Sequence, residues 1–380
     1  MSLRILHLMS CRGWSSDAYW AGRIARELAA RGHRVTFVAR AGTDAKVLRR
    51  LRALGVGEIR TLAFRGRRAP LATARDLQAI QALLADHDLV HVHRGQEHWL
   101  AAVANALSVR PRPLFRTRHI TLPVAAHALN RWLYRRATTH VVTVSAAIRE
   151  QYLTAGLLPP ERVTALPGGV DAARFHPDAD GPSFRRAIGV DAGTRIVGVL
   201  ARLRSRKGHL TFVDAAERVR RRHSDVRFVL IGDGPEAGRV REQIARHGLQ
   251  EATAMLGFVA EPERAVAAFD VAVCPTVASD GMGRVVFEYM AAGRPIVATR
   301  VGLAIEALEH GRTALLVPAG EPALMADAIV ELLADRALAA RLGRACREAV
   351  EARYAGAVVA RELERLYEAV LSAAPAPSSP

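Results

Sequence analysis

Three cysteines in 380 residues, Cys11, Cys274 and Cys346, are too few and too far apart for a disulfide framework, and none has metal-ligand spacing. They read as packing residues or free thiols in a reducing compartment. Aromatic residues make up only 5% of the chain and are not interleaved with the arginines as stacking platforms, which argues against nucleic acid as a partner. No run of about 18 apolar residues occurs, so no membrane-spanning helix is expected. The first nine residues are too short for a secretory leader and read as a strand, so a cytoplasmic location is expected. Acids are also scarce, 37 against 54 Lys and Arg, for a net charge of +17.

That charge is unevenly placed. Residues 1–180 hold 27 Lys/Arg against 13 Asp/Glu, an excess of +14; the rest holds 27 against 24, an excess of +3. A general richness in arginine explains the amount but not the asymmetry. The first half is therefore expected to meet an anionic partner: nucleic acid, an anionic membrane surface or a phosphorylated substrate. Segments 46–52 and 131–136 mix cations with apolar side chains as interfacial helices do, solvated helix faces being the plain alternative.

Half of the residues are hydrophobic, enough for two cored domains. Strand and helix signals alternate. Strands are predicted at 4–9, 33–39, 59–62, 89–93, 114–118, 140–144 and 163–166, with helices between them. The pattern restarts with strands at 196–201, 226–231, 253–256, near 271, at 296–299 and 314–317. Such alternation means parallel strands with crossover helices. The turn cluster 177–182 reads as the linker. The expected organisation is an N-terminal domain at 1–177 and a C-terminal domain at 178–355. A final helix at about 356–372 returns to the first domain, and 373–380 form a disordered tail. The fold class is α/β, two Rossmann-like doubly wound domains facing a central cleft, with ligands at the carboxyl ends of the strands.

Ser279-Asp280-Gly281-Met282-Gly283-Arg284-Val285-Val286-Phe287-Glu288 carries the most specific signal. A short buried strand precedes it, and a helix runs through Glu288 to Gly293-Arg294-Pro295. Asp280 and its glycines thus fall in a strand-to-helix loop. Glycines there let a ligand reach the backbone N–H groups, and a helix start attracts anions. Carboxylates beside it accept hydrogen bonds from hydroxyls. A ligand with both a diphosphate and many hydroxyls is a nucleotide sugar. The plain alternative is a surface turn before an ordinary helical glutamate.

Another strand runs into the basic loop Ala201-Arg202-Leu203-Arg204-Ser205-Arg206-Lys207-Gly208. A diphosphate needs cations at two points, and Arg202 and Lys207 supply them, with Arg204 and Arg206 solvated. His119 closes a strand and faces the cleft, its alternative being a packing histidine. His91-Val92-His93 reads as a polar strand edge beside the cleft rather than a metal pair. Asp86-His87-Asp88 and Asp178-Ala179-Asp180 resemble the Asp-x-Asp of metal-dependent sugar transferases but read as solvated turns. Gly232-Asp233-Gly234 is an incomplete dinucleotide fingerprint that places Gly232 in a loop near a nucleotide base. Neither a metal nor a cofactor is expected.

With these motifs the chain resembles the retaining nucleotide-sugar glycosyltransferases of family four, which have the GT-B fold. Asp280-x7-Glu288 is similar to their carboxylate pair, usually Glu-x7-Glu, and Arg202 and Lys207 to their phosphate-binding pair. Val229-Leu230-Ile231-Gly232-Asp233-Gly234-Pro235, Leu256-Gly257-Phe258-Val259 and Pro167-Gly168-Gly169-Val170-Asp171 are similar to further signatures. The resemblance implies that Glu288 holds the ribose, Asp280 the sugar hydroxyls, and the amides of Gly281, Met282 and Gly283 the sugar and phosphate. It also puts His119 beside the sugar and Gly232, Val259 and Gly13 among the donor contacts. Asp280 is one methylene shorter than the usual Glu, Met282 replaces a common Phe or Tyr, and Gly13 is single where two glycines are frequent. These departures bear on the donor sugar. Arg12 or Trp14 is assigned to acceptor recognition.

The expected activity is transfer of a hexose-type sugar, with retention, to a glycan or glycolipid in lipopolysaccharide or cell-surface polysaccharide synthesis. The expected place is the inner face of the cytoplasmic membrane. The alternatives are a sugar-nucleotide epimerase or hydrolase on the same fold, and a basic nucleic-acid-binding protein.

Overall fold

The structure is a computed structural model describing residues 2–65, 69–191, 193–278 and 281–373. It divides into two units. The first runs to Gly169 and resumes at Gly356; the second is Val170–Ala355.

The first unit holds β1 (Arg4–Met9), β2 (Arg34–Arg40), β3 (Glu58–Leu62), β4 (Leu89–Val92), β5 (Leu114–Arg118), β6 (His140–Thr143) and β7 (Val163–Ala165). They form one parallel sheet in the order β3-β2-β1-β4-β5-β6-β7. The second holds β8 (Arg195–Leu200), β9 (Val226–Ile231), β10 (Thr253–Gly257), β11 (Val271–Cys274), β12 (Ile296–Thr299) and β13 (Leu315–Val317). Their parallel order is β10-β9-β8-β11-β12-β13. Helical crossovers join successive strands, as parallel pairing demands. Strand order reverses between β1 and β4, and again between β8 and β11, so each sheet has a switch point where a crevice opens.

The apolar runs become strands because both faces are covered. Alternate residues of one strand enter different cores: Ile196, Val229, Ile231 and Ala272 lie in one cluster, while Val197, Val199, Phe228, Leu230 and Val271 lie in another. Burying each such large side chain contributes roughly 1.5–3 kcal/mol.

The turn cluster 177–182, read as a linker, lies within the second unit. Its end starts the helix Gly181–Ala187, capped where the Asp180 carboxylate accepts from the Ser183 N–H at 3.0 Å. The chain crosses instead at Gly169/Val170 and Ala355/Gly356, and Val170 bridges Ala355. The final helix, Gly356–Ala373, packs in the first unit. There Glu364 bonds Arg31 and His33, and the buried Tyr367 hydroxyl meets Nδ1 of His91.

Candidate active site

In the second unit the loops after β8 and β11 meet at the switch point. Gly208 makes that meeting possible, and a second glycine, Gly232, brings the loop after β9 against the loop after β8. Gly208 has φ +70°, and a Cβ there would lie 1.8 Å from the Pro275 carbonyl oxygen. Gly232 has φ +137°, and its Cβ would lie 2.0 Å from the Ala201 oxygen. Only glycine tolerates both the backbone and the approach. The Val277 N–H donates to the Arg206 carbonyl at 2.8 Å, and the Leu203 N–H to that of Asp233 at 3.0 Å. Gly232 therefore shapes the loop that carries Arg202.

Lys207 ends this loop and lines a crevice of about 30 Å³ with Gly281, Gly283, Thr299 and Gly302. It is one of only two lysines in the chain, the other being Lys46. Gly283, at φ +45°, starts the helix Arg284–Ala291. That start brings backbone N–H groups and the positive end of a helix dipole beside an ammonium, a combination suited to a phosphate. Arg202 stands exposed two residues past β8. Glu288 is buried, with the Arg284 guanidinium Nε 2.8 Å from its carboxylate. The next residue anchors the helix: the Leu200 N–H donates to the Tyr289 hydroxyl at 2.6 Å. Met282 is buried, and Val259 packs partly buried against the core. Asp280 lies outside the described residues. Cys274 also lines the crevice, but burial pushes its thiol up to about 12, so it stays protonated and is no nucleophile.

In the first unit a pocket of about 400 Å³ opens at the carboxyl ends of β1, β2 and β4. Its lining includes Arg12, Arg40 and Arg94, with Gly13, Trp14 and Gln96. The buried Glu97 ties the two switch-point loops together. Its carboxylate accepts from the Ser10 hydroxyl at 2.5 Å, the Ser10 N–H at 3.2 Å and the Arg94 N–H at 2.7 Å. Arg94 in turn donates to Asp17 at 2.8 Å. Burial opposes the charge on Asp17, but the Arg94 guanidinium and the Ser15 hydroxyl outweigh it and bring the carboxyl down to about 2. Arg12 and Arg40 are left to set the sign of the pocket, which suits an anionic group.

His119 sits among other histidines. Its Nε2 lies 3.3 Å from Nδ1 of His93, whose Nε2 lies 3.0 Å from Nδ1 of His7. Trp20 meets the His119 ring edge-on at 5.4 Å. Burial holds His7 and His119 neutral, each down to about 3. The pair His91 and His93 was expected at a polar strand edge. Instead β4 is central in the sheet and both rings are buried, so they stack at 4.8 Å. Among the described residues no group of three or more His, Cys, Asp and Glu is placed to hold a metal ion. The two Asp-x-Asp segments serve structure: Asp88 pairs with Arg4, Asp180 is a helix cap, and His87 is buried.

Of the residues singled out by sequence, Lys207, Gly281 and Gly283 come together, and Glu288 follows in the same helix. Gly232 and Val259 belong to the same unit, whereas His119 and Gly13 belong to the first. Asp17, Arg94 and Glu97 escaped the sequence reading. Glu97 accepts from the Arg94 N–H three residues earlier, but Arg94 is not the Ser or Thr that marks a capping box, so no sequence signal exposed it.

A basic pocket and a glycine-lined crevice at the switch points of two doubly wound parallel sheets define a class. The chain belongs to the group 1, family 4 glycosyltransferases. Residues 194–335 match the family described as "Glycosyl transferases group 1" and residues 19–174 that described as "Glycosyltransferase Family 4". The chain is 32% identical over 300 residues to a GDP-mannose-dependent alpha-(1-6)-phosphatidylinositol monomannoside mannosyltransferase of Mycobacterium tuberculosis, covering 75% of this chain and 77% of the relative. It is 30% identical over 292 residues to a phosphatidyl-myo-inositol mannosyltransferase of Mycobacterium leprae, covering 75% and 74%. A glycosyltransferase from Rickettsia africae has the same fold, with a TM-score of 0.87 at 19% identity over 98% of this chain and 100% of that one. So has Anabaena HepE in complex with UDP, with a TM-score of 0.83 at 23% identity over 97% and 100%. The fold is GT-B and the protein is a glycosyltransferase.

Proposed function

We propose that this glycosyltransferase moves a hexose, with retention, from a nucleoside-diphosphate sugar to a phosphorylated glycolipid or glycan. The observation that carries the reading is the crevice where Lys207 meets Gly281, Gly283 and the start of the helix Arg284–Ala291. In this reading Arg202 and Lys207 stabilise the charge that develops on the departing diphosphate, and no metal or cofactor is required. Glu288 holds the ribose, Asp280 the sugar hydroxyls, and the Gly281–Gly283 backbone the phosphate. His119 is held as a neutral hydrogen-bonding group. With Cys274 protonated and no other nucleophile assigned, acceptor attack and donor departure take place on one face of the sugar.

The acceptor is assigned to the pocket of the first unit. Its arginines match an acceptor phosphate, and the mycobacterial relatives, by their names, act on inositol phospholipids. Lipopolysaccharide core is a narrower candidate of the same chemistry. The partner is an anionic lipid or phosphorylated glycan rather than nucleic acid, and the working place is the inner face of the cytoplasmic membrane. The M. tuberculosis relative is named for GDP-mannose, so GDP-mannose heads a thermal-shift screen of nucleotide sugars. A positive is then followed by anomer analysis of the product. Stabilisation by no nucleotide sugar, or an inverted anomer, sinks the reading; release of free sugar or a new sugar nucleotide without acceptor favours the hydrolase or epimerase.

A further inference from the structure

Residues 98–149 contain eight arginines and neither Asp nor Glu. Among the described residues none of the eight is ion-paired with a carboxylate; Arg112, Arg116, Arg118, Arg135 and Arg149 donate to backbone carbonyls instead. Within this acid-free stretch lies a loop without regular structure, between β5 and the short helix Ala128–Trp132. Ile120 is 43% exposed, Leu122 67%, Leu129 58% and Trp132 38%. Four large apolar side chains thus reach solvent within thirteen residues. Leu129 and Trp132, three apart on a helix, share a face.

This exposure is built into the loop. The Gln151 amide donates to the Thr121 carbonyl at 2.7 Å, Arg118 to that of Leu122 at 2.6 Å, and Asn130 to that of Ala125 at 2.7 Å. These bonds satisfy the loop's carbonyls while its leucines stay outside. Trp132 stacks on Trp99 at 5.9 Å, which steadies its ring at the surface. Arg131, Arg135 and Arg136 are exposed alongside. The other basic segment differs. In the helix Ala45–Ala53 the apolar pair Val47 and Leu51 is fully buried and Leu48 half-buried, so its exposed side chains are cations and small alanines.

Apolar side chains rimmed by unpaired arginines match the two layers of an anionic bilayer, acyl boundary and lipid phosphate. We propose that residues 120–136 seat this protein on an anionic lipid surface. Leu122, Leu129 and Trp132 enter the headgroup boundary, and Arg131 and Arg136 face lipid phosphates. The proposal deepens the glycolipid-acceptor reading and rests on it.

The full chain is sedimented at low salt with vesicles of phosphatidylcholine alone or mixed with phosphatidylglycerol. Wild type is expected to pellet only with the mixed vesicles. Arg131→Gln/Arg136→Gln should weaken that binding about thirtyfold, and Leu122→Ser/Leu129→Ser by at least about tenfold. Lys46→Gln/Arg49→Gln, which removes two cations from the other segment, should retain most of it. Brominated phosphatidylcholine in the mixed vesicles should quench a component of emission that Trp132→Phe removes. Equal pelleting of wild type and both loop variants overturns the proposal, as does an equal loss in the Lys46/Arg49 control. RNA that binds the leucine variant normally and the arginine variant weakly also overturns it, in favour of nucleic acid. Calorimetry of GDP and UDP with the same variants shows that they are folded and tests the donor reading separately.

Discussion

The Arg284 guanidinium lies 2.8 Å from the Glu288 carboxylate, one helical turn away and just past the glycine that opens the helix. Glu288 is buried and Arg284 one-third exposed. A ribose that binds Glu288 therefore shares a carboxylate already held in place. Glu288→Gln should weaken binding of a bare nucleoside diphosphate by about 1.5–3 kcal/mol, the scale of a hydrogen bond to a charged group. Arg284→Ala should weaken it less and lower thermal stability more, because it strips a buried carboxylate of its cation. Calorimetry giving the reverse order of affinities would remove Glu288 from the nucleotide site. Asp280→Asn should impair binding of the sugar nucleotide and spare the bare diphosphate.

Arg202→Ala and Lys207→Ala should each cost about 2–4 kcal/mol of transition-state stabilisation, read as kcat/KM. Arg202 is exposed, so its replacement should leave Tm unchanged. Because the chain has only two lysines, reductive methylation followed by peptide mapping reads Lys207 against Lys46 directly. A nucleoside diphosphate should protect Lys207 alone. Uniform modification of both, with and without nucleotide, would place the diphosphate elsewhere.

On the proposal that Arg202 and Lys207 supply the cations for the leaving diphosphate, activity should survive EDTA. Loss of turnover on chelation, with recovery in Mg²⁺ or Mn²⁺, would contradict that.

Stability should fall as the solution is acidified. Burial lowers His7 and His119 to about 3 and, for the most part, His140 and His209 to about 4. The unfolded chain binds protons at these histidines near pH 6.5 and the folded chain only at 3–4. Their contribution is thus complete above pH 6.5 and is lost on descending to about 3–4. Each adds about 1.4 kcal/mol per pH unit to that slope within its window. Chemical denaturation at pH 7, 6 and 5 measures it, and a flat profile would mean that the rings are solvated.

The strands were legible because fully covered parallel strands are written as continuous apolar runs; Val226–Ile231 and Ile296–Thr299 are such cases. Helix starts were harder. The first helix begins at Ser16, where the polar Ser15-Ser16-Asp17 reads as loop and Ser15 supplies no side-chain cap. Gly181–Ala187 was hidden behind Gly-Pro, a turn signal that is also the start of a helix when an Asp precedes it. That Lys207, Gly281 and Gly283 line one crevice could be read because they lie on two loops. The histidine column could not, since His7, His91, His93 and His119 come from three strands whose adjacency is a matter of sheet order. Nor could Glu97, whose partners Ser10 and Arg94 belong to different loops.

The final helix has a consequence for biogenesis. The sheet of the first unit is synthesised early, yet Tyr367, which covers His91 and Phe115, arrives only with the last residues. Before that the ribosome must make all of Val170–Ala355, an interval on the order of tens of seconds at the usual elongation rate. The second unit is continuous in sequence and can finish folding inside that interval, while the older sheet keeps an apolar face uncovered. The unit translated first is thus completed last, and a chain that terminates before Gly356 leaves the ribosome with that face unsealed and prone to aggregate.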